Sequence, residues 1–576
     1  MLSSTVDCPH AATCSGCPLI ALPYLEQLRH KQETLQSALE RYPTLAQLQV
    51  GQIAPASAVE GYRVRAKLVC SGRKLGLYGH SNHEVIDVPG CKVLTARVAA
   101  AVDSVRQLLP FEFRLLALDV REVDAGVLVT LIVPPDASEA NVQARARQLV
   151  AAQPNIVGVA VSRRAVDAPQ VLGSSPISIL GVSSAPHHLS RSEPYHEAVP
   201  GGFVQAHPAQ ASALYGAIQR ELSERLGELR GARILELYAG AGSLALSLAA
   251  RGAHLIAVEQ FEPNLQRAAR AAREQGLHVT THAQSAETAL AQPGLNGIDA
   301  VIVDPPRRGL SPTVRSAIAK LRPKLMLYVA CDPRSFARDL AHLARAGLEP
   351  LKISGWDMIP LSDAVEALAV LAPCVPAPPR VLHEDADCLI VDRPGLWQPA
   401  EHAVLPRSNR ASGVCVLTKA RNGAGALVQS LQHARAEYVA LVQGITHKKG
   451  RIQRKLRGAE LRDTAELSYI RERAVSTHSF VRASLHGQGE EAVRQLFASI
   501  RHPVLGDARH GHPRSNRYFE ERHYLDREFL HCSALELTLQ GKPRRFESPL
   551  PPELEIVLSS LETESTRPQQ PSVQRQ

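Results

Sequence analysis

The stretch from Phe203 to Ala330 constrains the fold of this chain more than any other part of it. Helical spacing from Ala209 to Leu226 leads into the buried-type run Ala232-Arg233-Ile234-Leu235-Glu236-Leu237-Tyr238, a glycine turn, a second helix and another short run, His254–Glu259. Runs of similar length recur at Ala300–Val303 and Lys324–Ala330. Short apolar runs bounded by turns read as buried strands, and strands alternating with helices build a parallel sheet covered on both faces. The expected fold class is therefore α/β, with a Rossmann-like, doubly wound domain over residues 196–373.

Glu236-Leu237-Tyr238-Ala239-Gly240-Ala241-Gly242-Ser243-Leu244 places two glycines at the strand-to-helix turn, where the backbone can approach a ligand at the helix N-terminus. Glu259 ends the next strand, where a carboxylate can accept hydrogen bonds from both hydroxyls of a ribose. A lone G-x-G suits a nicotinamide cofactor equally well, but this short form without a third spaced glycine favours S-adenosylmethionine (SAM). Taken alone, Asp304-Pro305-Pro306-Arg307-Arg308-Gly309 would suggest methylation of an exocyclic amine.

Cys331, in Tyr328-Val329-Ala330-Cys331-Asp332-Pro333, points instead to a carbon acceptor. A nitrogen or oxygen acceptor offers a lone pair and needs no thiol. C5 of uracil has none; a thiolate adding to C6 turns C5 into an enolate carbon that attacks the methyl group, after which a base removes the C5 proton and the thiol is expelled. Glu366 is the candidate base. Alone, Cys331 reads as a small buried residue at a strand end and Glu366 as an exposed helix charge; their joint occurrence carries the chemistry.

Ten cysteines in 576 residues are too sparse for a disulfide scaffold. Cys8, Cys14 and Cys17 crowd one short loop, and Cys91 could complete a set of four for an iron–sulfur cluster; a zinc site or unrelated thiols satisfy the same spacing. Cys70, Cys374, Cys388, Cys415 and Cys532 read as buried structural thiols. A net charge of +9 favours a polyanionic partner such as nucleic acid. With no basic-then-apolar leader and no run of about 18 apolar residues, a cytoplasmic protein without membrane contact is expected, and no obligate protein partner is evident.

The divisions expected are a cysteine loop and helix over 1–60, a mixed α+β region over 61–195 that includes Cys91, the SAM-type domain over 196–373, a proline-rich linker over 374–380, a further α+β domain over 381–558, and a disordered tail over 559–576.

The first 373 residues resemble the RNA uracil-5-methyltransferase family, and within it the iron–sulfur branch that modifies 23S ribosomal RNA. The segments that carry the resemblance are the cysteine loop, Gly61-Tyr62-Arg63-Val64-Arg65-Ala66-Lys67, His83 to Cys91, Phe203-Val204-Gln205, the glycine turn, Asp304 to Gly309, Cys331-Asp332-Pro333 with Ala337-Arg338-Asp339, and Glu366. The resemblance implies that Cys8, Cys14, Cys17 and Cys91 ligate a [4Fe-4S] cluster, that Gln205, Tyr238, Gly240, Gly242, Ser243, Glu259 and Asp304 bind SAM, and that Cys331 is the nucleophile and Glu366 the base. The family's usual Asn is replaced by Asp332, by Ser243 in the turn and by His207, and its usual His by Ala364.

Residues 381–557 resemble a pseudouridine synthase, through His383 to Gly395, Ser412-Gly413-Val414, Glu437 to Val442, and His502 to Asp507 with His510-Gly511. Ser408 stands where that family carries its catalytic aspartate, which implies an inactive domain. Tyr438 and Arg494 match positions that contact a flipped uridine, and the basic run from His447 to Arg457 is expected to track phosphates. The expected activity is methylation of C5 of a uridine in 23S ribosomal RNA; transfer RNA as substrate, or a non-catalytic RNA-binding or chaperone protein, are the alternatives.

Overall fold

The computed structural model describes residues 5–80, 84–168, 170–203, 205–374, 378–394, 403–405, 411–419, 424–456, 464–525 and 527–566. Ser408 lies outside them, as do residues 375–377 of the proline-rich linker and Arg457 of the basic run.

The central sheet has seven strands, in the order Val279–Ala283, His254–Glu259, Arg233–Leu237, Ala300–Val303, Leu325–Ala330, Glu366–Pro373, Leu348–Trp356. The first five run parallel; four of them lie where the sequence places strands, and the edge strand Val279–Ala283 was not expected. Glu366–Pro373 runs antiparallel to both its neighbours, so the sheet is mixed, and Leu348–Trp356 beyond it points the same way as the first five. Its two faces bury alternate residues. Leu235, Leu237, Val301, Val303, Met326 and Tyr328 pack under helices Tyr24–Glu40 and Pro333–Arg345; Ile234, Ala300, Ile302 and Leu327 pack under helices Pro208–Leu226 and Ser243–Ala249. Each fully buried aliphatic side chain contributes about 1.5–3 kcal/mol, so the coverage of both faces accounts for the continuous apolar character of these strands. Strand order reverses between Arg233–Leu237 and Ala300–Val303, and ligands of open α/β sheets bind at such a crevice, beyond the carboxyl ends of the strands.

A second seven-stranded sheet runs in the order Val85–Asp87, Lys74–Tyr78, Arg65–Ser71, Ala117–Val123, Gly126–Val133, Ile156–Arg163, Ile177–Gly181, with helices Ala96–Gln107 and Glu139–Ala152. The N-terminal sixty residues divide between these two bodies instead of forming a unit. Ile20 and the cysteine loop pack into the core of this second sheet, whereas Leu35, Leu39, Tyr42, Leu45, Val50 and Ile53 join the core of the central one. The third sheet, of ten mostly antiparallel strands, carries helices Ala424–Gln432, Glu490–Ser499, Pro513–His523 and Pro552–Thr566.

The last helix corrects the expected tail: Leu554, Val557, Leu558 and Leu561 are buried, so ordered chain extends past 559 to Thr566. Cys388, Cys415 and Cys532 are buried as expected, while Cys70 and Cys374 are half-buried. Among the described residues no helix is long and apolar enough to cross a membrane.

Candidate active site

Tyr238, Gly240, Gly242, Glu259, Asp304 and Cys331 all lie at or just beyond the carboxyl ends of the parallel strands. The glycine turn takes a tight left-handed path, with φ of +63° at Tyr238, +56° at Gly240 and +74° at Gly242. A Cβ at Gly240 would meet nothing within 4 Å, which leaves that side of the turn open to a ligand, whereas one at Gly242 would meet Ala268 Cβ at 2.7 Å. Glu259 accepts the Gly240 N–H at 3.1 Å and the Phe261 N–H at 2.9 Å. Each carboxylate oxygen keeps a second lone pair, so a ribose hydroxyl can still bind. Ser243 shares a hydrogen bond with Tyr215, Oγ to Oη 2.9 Å, which ties the turn to helix Pro208–Leu226. Gly242→Val is expected to cost both the backbone conformation and the contact with Ala268, weakening SAM binding by at least about tenfold in calorimetry; unchanged affinity would count against this turn as the nucleotide site.

Sheet register brings the reactive groups together. Ala330 pairs with Ala367 and Trp356 with Glu366, so Cys331, one residue past its strand, stands beside Glu366 at the start of the adjacent strand. Glu366 is thus a buried strand residue, 7% exposed, and not a helix charge on the surface. Burial, then the charge of Asp304, holds its carboxyl well above the usual range. Burial also raises Asp304. Cys331 is half-buried, and burial, then the charge of Glu366, pushes its thiol up to about 11. Arg307, in the Asp304–Gly309 loop, opposes both shifts. Asp332 caps helix Pro333–Arg345 by accepting the Arg334 and Ser335 N–H groups at 3.0 Å each. Asn caps equally well, which accounts for the exchange at this position.

Gln205 is half-buried on the segment entering helix Pro208–Leu226. Just before it, the Gly201 and Gly202 carbonyls accept from Arg65 at 3.0 and 2.6 Å. His207 caps the helix and stacks on Tyr62, with ring centroids 4.9 Å apart.

Two buried ionic centres support the site; the sequence assigned no role to either, although Arg338 and Asp339 of the second lie in a segment that carried the resemblance. Lys31 pairs with Asp357, both side chains fully buried, and Tyr24 Oη donates to the same carboxylate at 2.8 Å. Lys31 also donates to the Ile359 carbonyl at 3.0 Å, and the Leu361 N–H reaches Gln27 Oε1 at 3.0 Å. Helix Tyr24–Glu40 thereby holds the loop that leads into Glu366. The signal was a lysine in line with Leu35 and Leu39 at four-residue steps, a charge on an apolar stripe. The second centre is Asp339, which pairs with Arg315 and Arg338 and accepts from Tyr328 Oη at 2.6 Å and the Leu310 N–H at 2.7 Å.

Cys8, Cys14, Cys17 and Cys91 line one cavity of about 90 Å³, together with Arg63 and Leu361. Burial, then the neighbouring Cys91, Cys14 and Cys8, pushes Cys17 up to about 12. Tetrahedral zinc at about 2.3 Å from each sulfur needs sulfurs about 3.8 Å apart. Among the described residues the group whose ligand atoms converge within 4.8 Å is His383, Asp385 and Cys388, and not this set. Four sulfur donors facing one cavity are of the soft type that an iron–sulfur cluster takes. The Leu19 N–H donates to the Leu361 carbonyl at 2.9 Å, so the cysteine loop also braces the loop before Glu366.

In the third sheet's domain, Tyr438 is buried in the core. Arg494 is held by Glu528 through contacts of 2.8 and 2.7 Å. The basic run forms strand Lys449–Lys455, with Arg451, Arg454 and Lys455 exposed.

A family model described as "Conserved hypothetical protein 95" matches residues 211–342. The chain is 31% identical over 386 residues to the 23S rRNA (uracil(1939)-C(5))-methyltransferase RlmD of Pseudomonas putida, an alignment covering 63% of this chain and 79% of that relative. It is 28% identical over 376 residues to the protein of the same name from Shewanella halifaxensis, covering 63% and 80%. The solved structure of the Pyrococcus abyssi tRNA (uracil-54, C5)-methyltransferase with S-adenosyl-L-homocysteine matches with a TM-score of 0.51 and 22% identity, over 62% of this chain and 86% of that one, and so shares its fold. With most of the length of such relatives spanned by this chain, it belongs to the SAM-dependent RNA uracil-5-methyltransferase family.

Proposed function

We propose that this chain methylates C5 of a uridine in 23S ribosomal RNA, with Cys331 as nucleophile and Glu366 as base. The observation that carries the reading is the pairing of the strand ending at Ala330 with the strand beginning at Glu366, which sets a thiol and a carboxylate side by side at the switch point of the sheet. SAM supplies an electrophilic methyl group; Gln205, Tyr238, Gly240, Gly242, Ser243, Glu259 and Asp304 are the residues proposed to hold it. The Cys331 sulfur adds to C6 of the uracil, and C5 takes the methyl group. Glu366 then accepts the C5 proton as the C6–sulfur bond breaks and the thiol returns. The raised affinity of Glu366 for a proton makes it a better acceptor, and the positive charge of Arg307 favours the thiolate.

The four-cysteine set fits a [4Fe-4S] cluster, proposed to support the fold and RNA contact; the methyl transfer itself requires no electron transfer. The third domain is proposed to bind RNA without isomerising it. Burial of Tyr438 and the pairing of Arg494 with Glu528 support that, since both groups are engaged in packing.

The test is anaerobic purification, measurement of iron and sulfide, then incubation with SAM carrying a labelled methyl group and separate 23S ribosomal and transfer RNA pools. Label in 5-methyluridine from ribosomal RNA is the expected result. Label from transfer RNA would overturn the substrate, and no label from either pool would overturn the activity.

A further inference from the structure

We propose that Tyr524, on the third domain, forms part of the RNA-binding wall of the methyltransferase pocket and stacks on a base next to the target uridine. This rests on the reading of the Cys331 pocket as the uridine site.

The cavity at Cys331 measures about 570 Å³ and is bounded by two domains. Cys331, Arg307 and Arg334 come from the central domain and Arg41 from the end of the N-terminal helix, while Tyr524 and Ile556 come from the third domain. The volume is that of a site for a drug-sized ligand, more than a uracil ring alone requires. A uridine that reaches Cys331 must leave its stack, and its neighbours are then drawn to the mouth with exposed π-faces. Single-stranded RNA is bound by aromatic rings on which such bases stack and by cations that meet the phosphates. The lining offers two tyrosines, of which Tyr42 is buried and Tyr524 half-buried, and three arginines beside the carboxylates Glu33, Asp332 and Asp363.

Tyr524 is held for that task. It ends helix Pro513–His523 with φ +60° and ψ +25°, a left-handed conformation uncommon for an aromatic residue. Its hydroxyl accepts a hydrogen bond from Arg334 at 3.4 Å, three residues after Cys331, which leaves the half-buried ring at the pocket edge. Two further contacts seat the domain there. Arg338 donates to the Glu520 carbonyl at 3.2 Å, and Ile556 packs against the core of the central sheet. A ring fixed before RNA arrives loses little freedom on stacking.

The experiment uses the full chain with a 23S ribosomal RNA transcript that it methylates, comparing Tyr524→Asn and Tyr524→Phe with the unaltered protein. Asn tolerates the left-handed conformation, so it removes the ring without forcing the backbone. Loss of one stacked base corresponds to about a 5- to 150-fold change. Tyr524→Asn is expected to raise KM for RNA by about that factor with kcat within about twofold, and SAM affinity unchanged in calorimetry. Tyr524→Phe, which keeps the ring, is expected to stay within about twofold in both. An unchanged KM in Tyr524→Asn would overturn the proposal while leaving the methyltransferase reading intact. A lower KM would make Tyr524 an obstruction, and an equal defect in Tyr524→Phe would assign the effect to the Arg334 bond; either also overturns it. Failure of the unaltered chain to methylate any RNA while it binds SAM would overturn the underlying reading itself.

Discussion

Cys331→Ala is expected to abolish methyl transfer to RNA, by about 10⁴-fold or more in kcat, while leaving SAM affinity unchanged. Without the sulfur, C5 of the uracil never becomes nucleophilic, and among the described residues no other cysteine lines the pocket. Glu366→Gln is expected to fail at a different step. Addition and methylation proceed, but the C5 proton stays and the thiol cannot leave, so the methylated RNA remains attached to Cys331. A protein–RNA species that survives denaturing electrophoresis in Glu366→Gln, and is lost when Cys331→Ala is added, is the signature. Its absence, or turnover by Cys331→Ala, would refute the assigned roles.

The same carboxylate links activity to pH. Burial and Asp304 hold Glu366 above the ordinary carboxylate range, so the rising limb of kcat should lie above that range too. The folded state keeps this proton after the unfolded chain has released it, so the group lowers stability as pH rises from the ordinary carboxylate range through its folded pKa. Glu366→Gln should therefore gain thermal stability over the parent above that window and none below it.

Asp339→Ala is expected to destabilise the central domain by about 3–5 kcal/mol, the cost of breaking a buried ion pair from one side. Arg315 and Arg338 are 0% and 2% exposed, and both would be left as buried charges without their carboxylate. At about 2–4 °C per kcal/mol for a domain of this size, the melting temperature should fall by roughly 10 °C. Asp339 also receives the Tyr328 hydroxyl, on the strand leading to Cys331, and the Leu310 N–H, just after the Asp304–Gly309 loop. Activity below the melting transition should therefore fall as well. A parent-like melting curve would show that these charges are relieved elsewhere.

Several features were legible because their causes are local. Short apolar runs bounded by turns and too brief for a helix fit strands covered on both faces, and His254–Glu259 and Ala300–Val303 lie where the pattern places them. The reversal of strand Glu366–Pro373 was not legible, since a buried run looks the same in either direction. Nor was the sharing of the first sixty residues between two cores, because an amphipathic helix carries no mark of which sheet it covers. Lys31 and Asp357, more than three hundred residues apart in the chain, become an ion pair only when folding removes both from water.

What the sequence by itself determined is the kind of chemistry: two glycines at the turn after a buried strand, a thiol and a carboxylate of the kind that C5 of uracil needs to reach a methyl group, and four soft donors. What the tertiary structure decided is their proximity and strength. Strand register set Glu366 beside Cys331, burial raised the proton affinity of both, and docking of the third domain brought Tyr524 to the same pocket. The physical reason is that reactive type resides in the side chain, whereas distance, solvent exclusion and neighbouring charge arise from contacts between distant segments that leave no periodic trace in the chain.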